Sequence, residues 1–255
     1  MIHTFSYLLP TTELPLLFFM LIVFFISGIV KGFLGLGLPA AAMAFLTLIM
    51  EPTKAIPLLF LPLLFTNLAQ FVRSPNPLAK ARKFWRFGTA LMVTIFLTSL
   101  FISSYPKALL TISIGVVMII FSIQALLNFK IPVSNNRLWH VIFSAASGVL
   151  GGLSSIWSPP IAMYLMAQNY QKDDFIGISG FLFLCGCLPL GLGLYLAGVL
   201  NLESIFQSLL GLIFVLIGFR VGEKARGRVP HAQFRKILLI AFLIMGLRLV
   251  ITSLI

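Results

Sequence analysis

Charged residues divide this chain into apolar stretches of nearly one length. Uncharged runs cover 14–30, 32–50, 55–72, 87–106, 108–129, 138–171, 175–202 and 204–219, and a last run from Ile237 is interrupted only by Arg248. An α-helix needs about 20 apolar residues to cross the hydrocarbon core of a bilayer. The spacing therefore predicts an all-α polytopic membrane protein. Only 9% of its 255 residues are charged and 60% are apolar, with a mean hydropathy of +1.08. A soluble domain carries roughly 25% charged residues, so this chain has too few to cover a wetted surface. The N-terminal segment has no basic leader and no small-residue cleavage site, so the first helix is expected to be retained. The lipid bilayer is the expected partner, in the cell (cytoplasmic) membrane.

The net charge of +12 would point to nucleic acid in a soluble protein. Here it reads as orientation, and no nucleic-acid partner is expected. One basic cluster holds Arg73, Lys80, Arg82, Lys83 and Arg86; another holds Arg220, Lys224, Arg226, Arg228, Arg235 and Lys236. Lys130 and Arg137 form a third, and Lys172 follows. Basic loops stay cytoplasmic. Placing these inside puts 14 of the 18 basic residues there, with Lys54 and Lys107 outside and Lys31 and Arg248 in or near the membrane. Both termini are then external.

The sequence also repeats at an offset of 120. Ser27-Gly28-x-x-x-Gly32 falls on Ser147-Gly148-x-x-x-Gly152, Pro39 on Pro159, Ala42 on Ala162, Met43 on Met163 and Glu51 on Gln171. We divide the chain into a first membrane repeat, 1–130, and a second, 131–255. For the basic loops to share one side, 14–50 and 138–171 must each return to the side from which they start. Each is thus a broken helical hairpin, interrupted at Gly32–Pro39 and at Gly148–Pro160 (the second as two full spans or as a helix plus a re-entrant half-helix), and three transmembrane helices follow each one. The first hairpin starts and ends outside and the second inside, which makes the repeats inverted in topology.

Irregular backbone at membrane depth is tolerated only where protein buries it or it lines a wet cavity. Interrupted helices in inverted repeats place binding near the midplane, where helix N-termini can face an anion. The expected substrate-binding set is Lys31, Gly32, Gly35, Gly37 and Pro39 from the first break. The second break supplies Gly152, Ser154, Ser155, Trp157, Ser158 and Pro159; Asn67 and Gln70 lie on the helix after the first hairpin. Hydroxyl and indole donors suit an oxyanion. Each has a structural alternative. The Gly-x-x-x-Gly pairs also serve close helix packing, Lys31 is long enough to snorkel to an interface, and Asn67 and Gln70 can bond between helices. The six acids and three histidines all lie at the ends of apolar runs, which leaves no carboxylate at mid-membrane for a proton relay. Cys185 and Cys187 point to nearly opposite faces of a helix. No cofactor and no metal are expected.

These residues resemble the TauE/SafE sulfite exporter family, also called the 4-toluene sulfonate uptake permease family. The resemblance rests on Gly28, Gly32, Gly35 and Gly37 in the form G-x-x-x-G-x-x-G-x-G, and on the proline turn Glu51-Pro52-Thr53-Lys54-Ala55. The closing stretch from Phe234 to Gly246 adds to it. It implies a secondary transporter of small anions (sulfite, sulfonates or other organosulfur species) working by alternating access. Leu38 and, in the second half, Ser155, Trp157 and Ser158 stand where the family has glycines, so the cargo stays open within that class. An anion channel is the alternative, followed by a membrane-embedded enzyme, for which no nucleophile–base or metal spacing is visible.

Overall fold

The computed structural model describes residues 14–127, 137–225 and 231–254. Glu13, Lys130, Arg226, Arg228 and both chain ends lie outside the described residues, as do the side chains of Arg137, Lys172 and Arg235. Eleven α-helices make up the described chain. They are α1 (Leu14–Leu34), α2 (Leu38–Leu46), α3 (Pro52–Leu58), α4 (Phe60–Val72), α5 (Pro77–Leu100), α6 (Lys107–Leu127), α7 (Arg137–Ser154), α8 (Ser158–Ala167), α9 (Lys172–Leu196), α10 (Leu202–Ala225) and α11 (His231–Leu254). Six stretches within them are long and apolar enough to cross a membrane, and α7 adds a shorter one.

Both expected breaks are present. α1 gives way to α2 between Leu34 and Leu38, and α7 gives way to α8 between Ser154 and Ser158, an offset of 120 at each boundary. The next helices, α3 and α9, begin at Pro52 and Lys172, with the same offset. Helix α5 starts at Pro77, ten residues before the apolar run. Lysine and arginine are good helix formers, so charge ends the apolar stretch without ending the helix. Prolines interrupt the segment after the first hairpin, where α3 contains Pro57 and α4 starts beyond Leu59. The Leu61 N–H, freed there, donates to Ser208 Oγ on α10 at 3.0 Å, the kind of substitution that makes broken helices tolerable in lipid.

Small residues set the helix crossings. A Cβ on Gly28 would lie 2.3 Å from the Val215 carbonyl oxygen, and one on Gly32 would lie 2.1 Å from that of Phe219. From the other side, a Cβ on Gly218 or Gly222 would strike the Phe25 and Ile29 carbonyls at 2.1 and 2.2 Å. Helices α1 and α10 therefore meet backbone to backbone. The corresponding α7–α5 crossing presses Gly148 and Gly152 onto Thr94 and Thr98, and α6 meets α11 through Gly115 and Gly246. Without a hydrophobic drive between helices in lipid, such close approach supplies the packing.

The bundle has two distinguishable ends. Leu16 and Met20, near the start of α1, share one cavity with Met50–Glu51 after α2, and with Ser103, Lys107 and Asn201. At the other end, Arg73, Ser74, Asp173 and Glu223 share a second cavity. Nearby, Phe84 and Phe87 of α5 pack on His140 of α7, which meets Tyr164 of α8 edge-on. Ion pairs tie this second end together: Arg73–Glu223 at 3.8 Å and Lys80–Asp174 at 3.2 Å. The first end carries Lys107–Glu51 at 2.6 Å.

Candidate functional site

The two breaks use one backbone device. Gly35, at φ +80°, ends α1 in the left-handed region, and its N–H donates to the Lys31 carbonyl at 2.7 Å. Ser155, at φ +59°, does the same for α7, donating to the Gly151 carbonyl at 2.8 Å. Glycine adopts this conformation without steric cost; a serine there carries strain of about 1–2 kcal/mol. Each following helix opens with proline in its first turn and without a side-chain cap, at Gly37 for α2 and at Trp157 for α8. Uncapped N–H groups and the positive helix end favour negative charge.

The breaks meet across α4 and α9. Lys31, Gly37, Pro39, Asn67, Trp157 and Ser158 line a single cavity, with Leu36, Leu63 and Phe183 as its apolar walls. The open space is about 10 Å³, roughly the room one water needs. Lys31 is 2% exposed. Its ammonium donates to Asn67 Oδ1, and the Asn67 amide donates in turn to Cys187 Sγ at 3.5 Å. Lys31 therefore does not snorkel, and Asn67 serves as its partner. Among the described residues the three ion pairs involve other cations, so this lysine lies buried without a carboxylate. A charged side chain at membrane depth costs about 2.5–3.5 kcal/mol on insertion scales. Ser158 Oγ lies in the same wall, buried and, among the described residues, without a hydrogen-bond partner.

Other expected site residues are placed elsewhere. Gly32 and Gly152 serve helix crossings. Gly35 and Gln70 line the cavity with Arg73 and Glu223, and the Gln70 amide donates to the Ile176 carbonyl at 2.9 Å and to Ser179 Oγ at 3.2 Å. Ser154 is a cap: its hydroxyl donates to the Leu150 carbonyl at 2.6 Å and accepts from the Ile156 N–H at 3.1 Å. Ser155 Oγ is buried and, among the described residues, unpartnered, but it is not among the cavity's lining residues. Pro159 is buried in the first turn of α8. Sequence reasoning passed over Leu63, Phe183 and Cys187. The signal that could have found them is the repeat offset itself. Gly37 and Trp157, Leu63 and Phe183, and Asn67 and Cys187 each lie 120 positions apart, and each pair meets at the site. The cavity thus lies on the seam between matching positions of the two halves.

A comparison with known protein families finds that residues 20–249 match the model of the sulfite exporter TauE/SafE family. The chain belongs to that family. The match covers both breaks, the Lys31–Asn67 pair and all but the last residues of α11. TauE/SafE proteins are membrane transporters, which agrees with the six candidate spans. No curated protein and no solved structure matches the chain.

Proposed function

We propose that this TauE/SafE protein is a secondary transporter that moves sulfite, a sulfonate or another organosulfur anion by alternating access. The anion binds at the seam of two inverted repeats, 1–130 and 131–255. The observation that carries this reading is Lys31, buried without a carboxylate, beside an unpartnered Ser158 hydroxyl and two uncapped helix openings. A site that already contained its counter-ion would have no use for an anion; this one lacks it. Lys31 supplies the full charge, Asn67 holds the ammonium in place, and Ser158 and the first turns of α2 and α8 supply donors.

The inverted arrangement is supported by the ends of the hairpins. The first hairpin begins and finishes beside Lys107 and Asn201. The second packs its base on Phe84 and Phe87, near the basic residues of α5. The second end is the cytoplasmic one by its positive charge. A cavity with room for one water favours a carrier in an occluded state over an open pore. The cavity at the first end, about 870 Å³, far exceeds the one of about 130 Å³ at the second. This form therefore leans toward opening at the first end.

Flux of sulfite and of organosulfonates into proteoliposomes, with and without a pH gradient, tests the proposal. A saturable flux is expected; an unsaturable one would indicate a channel, and none would remove the reading. Single cysteines introduced between residues 76 and 80 should label from the cytoplasm, and one at position 107 from outside. Labelling from the same side would overturn the inverted topology.

A further inference from the structure

Asn67 lies fully buried between two groups of fixed polarity. On one side is the Lys31 ammonium, which can only donate. On the other is Cys187 of α9, also fully buried. A thiol carries one hydrogen, and that of Cys187 is committed to the Phe183 carbonyl one turn earlier, at 3.2 Å. Toward Asn67 the sulfur therefore presents only lone pairs, and it accepts from the amide at 3.5 Å. Lys31, Asn67, Cys187 and Phe183 thus form one chain in which every donated hydrogen points away from the lysine. With the amide reversed, its N–H groups would face the ammonium and its oxygen would face the sulfur lone pairs. Neither contact is attractive.

Resting on the anion-site reading above, we infer that Cys187 is a positioning residue of that site. By accepting from Asn67 it fixes the amide with its oxygen toward Lys31, and so fixes where the ammonium sits. With Asn67 shut off from bulk water, the sulfur is the group that decides the orientation. Cys187 is not among the cavity's lining residues, so it acts through Asn67 and not on the anion itself. The role requires an acceptor with its own hydrogen turned elsewhere, not a thiol as such. Serines in the helices of this protein make the same donation one turn back, Ser27 to the Val23 carbonyl and Ser122 to that of Met118, each at 2.7 Å. A serine at 187 therefore keeps the polarity of the chain, and its oxygen is a better acceptor than sulfur. Alanine or valine there leaves the amide N–H unpaired. The two halves divide the task at matching positions, 120 residues apart: Asn67 holds the lysine, and Cys187 holds Asn67.

Sulfite binding to the purified protein, read by calorimetry, tests the assignment through a double-mutant cycle. Cys187→Ala should weaken binding about 3- to 10-fold, as expected for one hydrogen bond. Cys187→Val, which keeps the volume, should lose as much and serves where the alanine variant does not fold. Cys187→Ser should restore affinity to within about twofold of the unaltered protein. In an Asn67→Ala background, Cys187→Ala should change affinity by less than about 1.5-fold, because the residue through which it acts is gone. Cys185→Ala, whose sulfur packs against Gly88 of α5, should leave affinity within about twofold. A loss on Cys187→Ser equal to that on Cys187→Ala would reduce Cys187 to a packing residue and overturn the inference. So would a loss that persists without Asn67, or one matched by Cys185→Ala. Unchanged affinity in Cys187→Ala and Cys187→Val, with Lys31→Ala still impaired, would overturn the positioning role and leave the anion site standing. Absence of sulfite and methanesulfonate binding to the unaltered protein would remove the anion-site reading, and this inference with it.

Discussion

The two breaks share a backbone and differ in chemistry. In the first, glycines at positions 35 and 37 take positive φ without strain, and the preceding turn carries Lys31. In the second, Ser155 takes the strained conformation in place of Gly35, Trp157 replaces Gly37, Ser158 stands at the position of Leu38, and the position matching Lys31 is Gly151. A Cβ on Gly151 would stand 2.9 Å from Trp157 Cβ, so a lysine there has no room. One half thus contributes the charge and the other contributes bulk and neutral hydroxyls. The residues that meet at the cavity lie 120 positions apart, but only one of the two breaks brings a lysine to it.

That contrast can be broken first at the charge. Lys31→Ala should weaken anion binding about 10- to 100-fold, the range for a hydrogen bond to a charged group, whereas Lys54→Ala at the first end should change it by less than about twofold. Equal losses in a binding titration would return Lys31 to a structural role. Next come the left-handed positions. A Cβ on Gly35 meets nothing nearer than Ile176 Cγ1 at 3.6 Å, so Gly35→Ala should cost only the backbone strain, about 1–2 kcal/mol. Ser155→Gly should move thermal stability the opposite way while binding is retained. A fall in affinity on Ser155→Gly would instead bring its hydroxyl into the site.

Ser158→Ala sharpens the comparison further. Removing a buried hydroxyl that lacks a partner should raise the stability of the free protein. The same change should lower anion affinity about 2- to 10-fold, as expected for one hydrogen bond. Stability and affinity moving in the same direction would contradict its role as a waiting donor. The smallest effect is expected away from both breaks, at Glu51. The hydrogen bond from Lys107 holds its carboxyl below the usual carboxylate range. Stabilisation by this exposed pair is then complete above the ordinary carboxylate pKa and disappears as pH falls through the lowered value. Melting curves of the protein and of Lys107→Ala should therefore differ slightly at neutral pH and converge in acid.

Much of this molecule was legible before any coordinates. The charge-free runs located the spans, and the proline–glycine clusters located both breaks, because a missing N–H or a left-handed residue interrupts a helix wherever it occurs. The 120-residue offset survives in the helix boundaries after both hairpins. Membership of the TauE/SafE family was legible in Gly28, Gly32, Gly35 and Gly37, since glycine patterns are local and survive in sequence. The candidate site was legible only in part. Both readings of Gly32 and Gly152 fitted their sequence, and only the neighbouring helix decides between them: Phe219 in one case and Thr98 in the other. Asn67 and Cys187 are ordinary residues on separate helices until the halves are folded together.

By itself, then, the sequence determined the solvent, the spans, the breaks and the family, all of which follow from composition and short-range chemistry. Only the tertiary structure decided that Lys31 stays inside with Asn67 in place of a carboxylate, and that Asn67 in turn meets Cys187. Those are contacts between residues far apart in the chain. A lysine long enough to reach an interface is kept from it only by what packs around it.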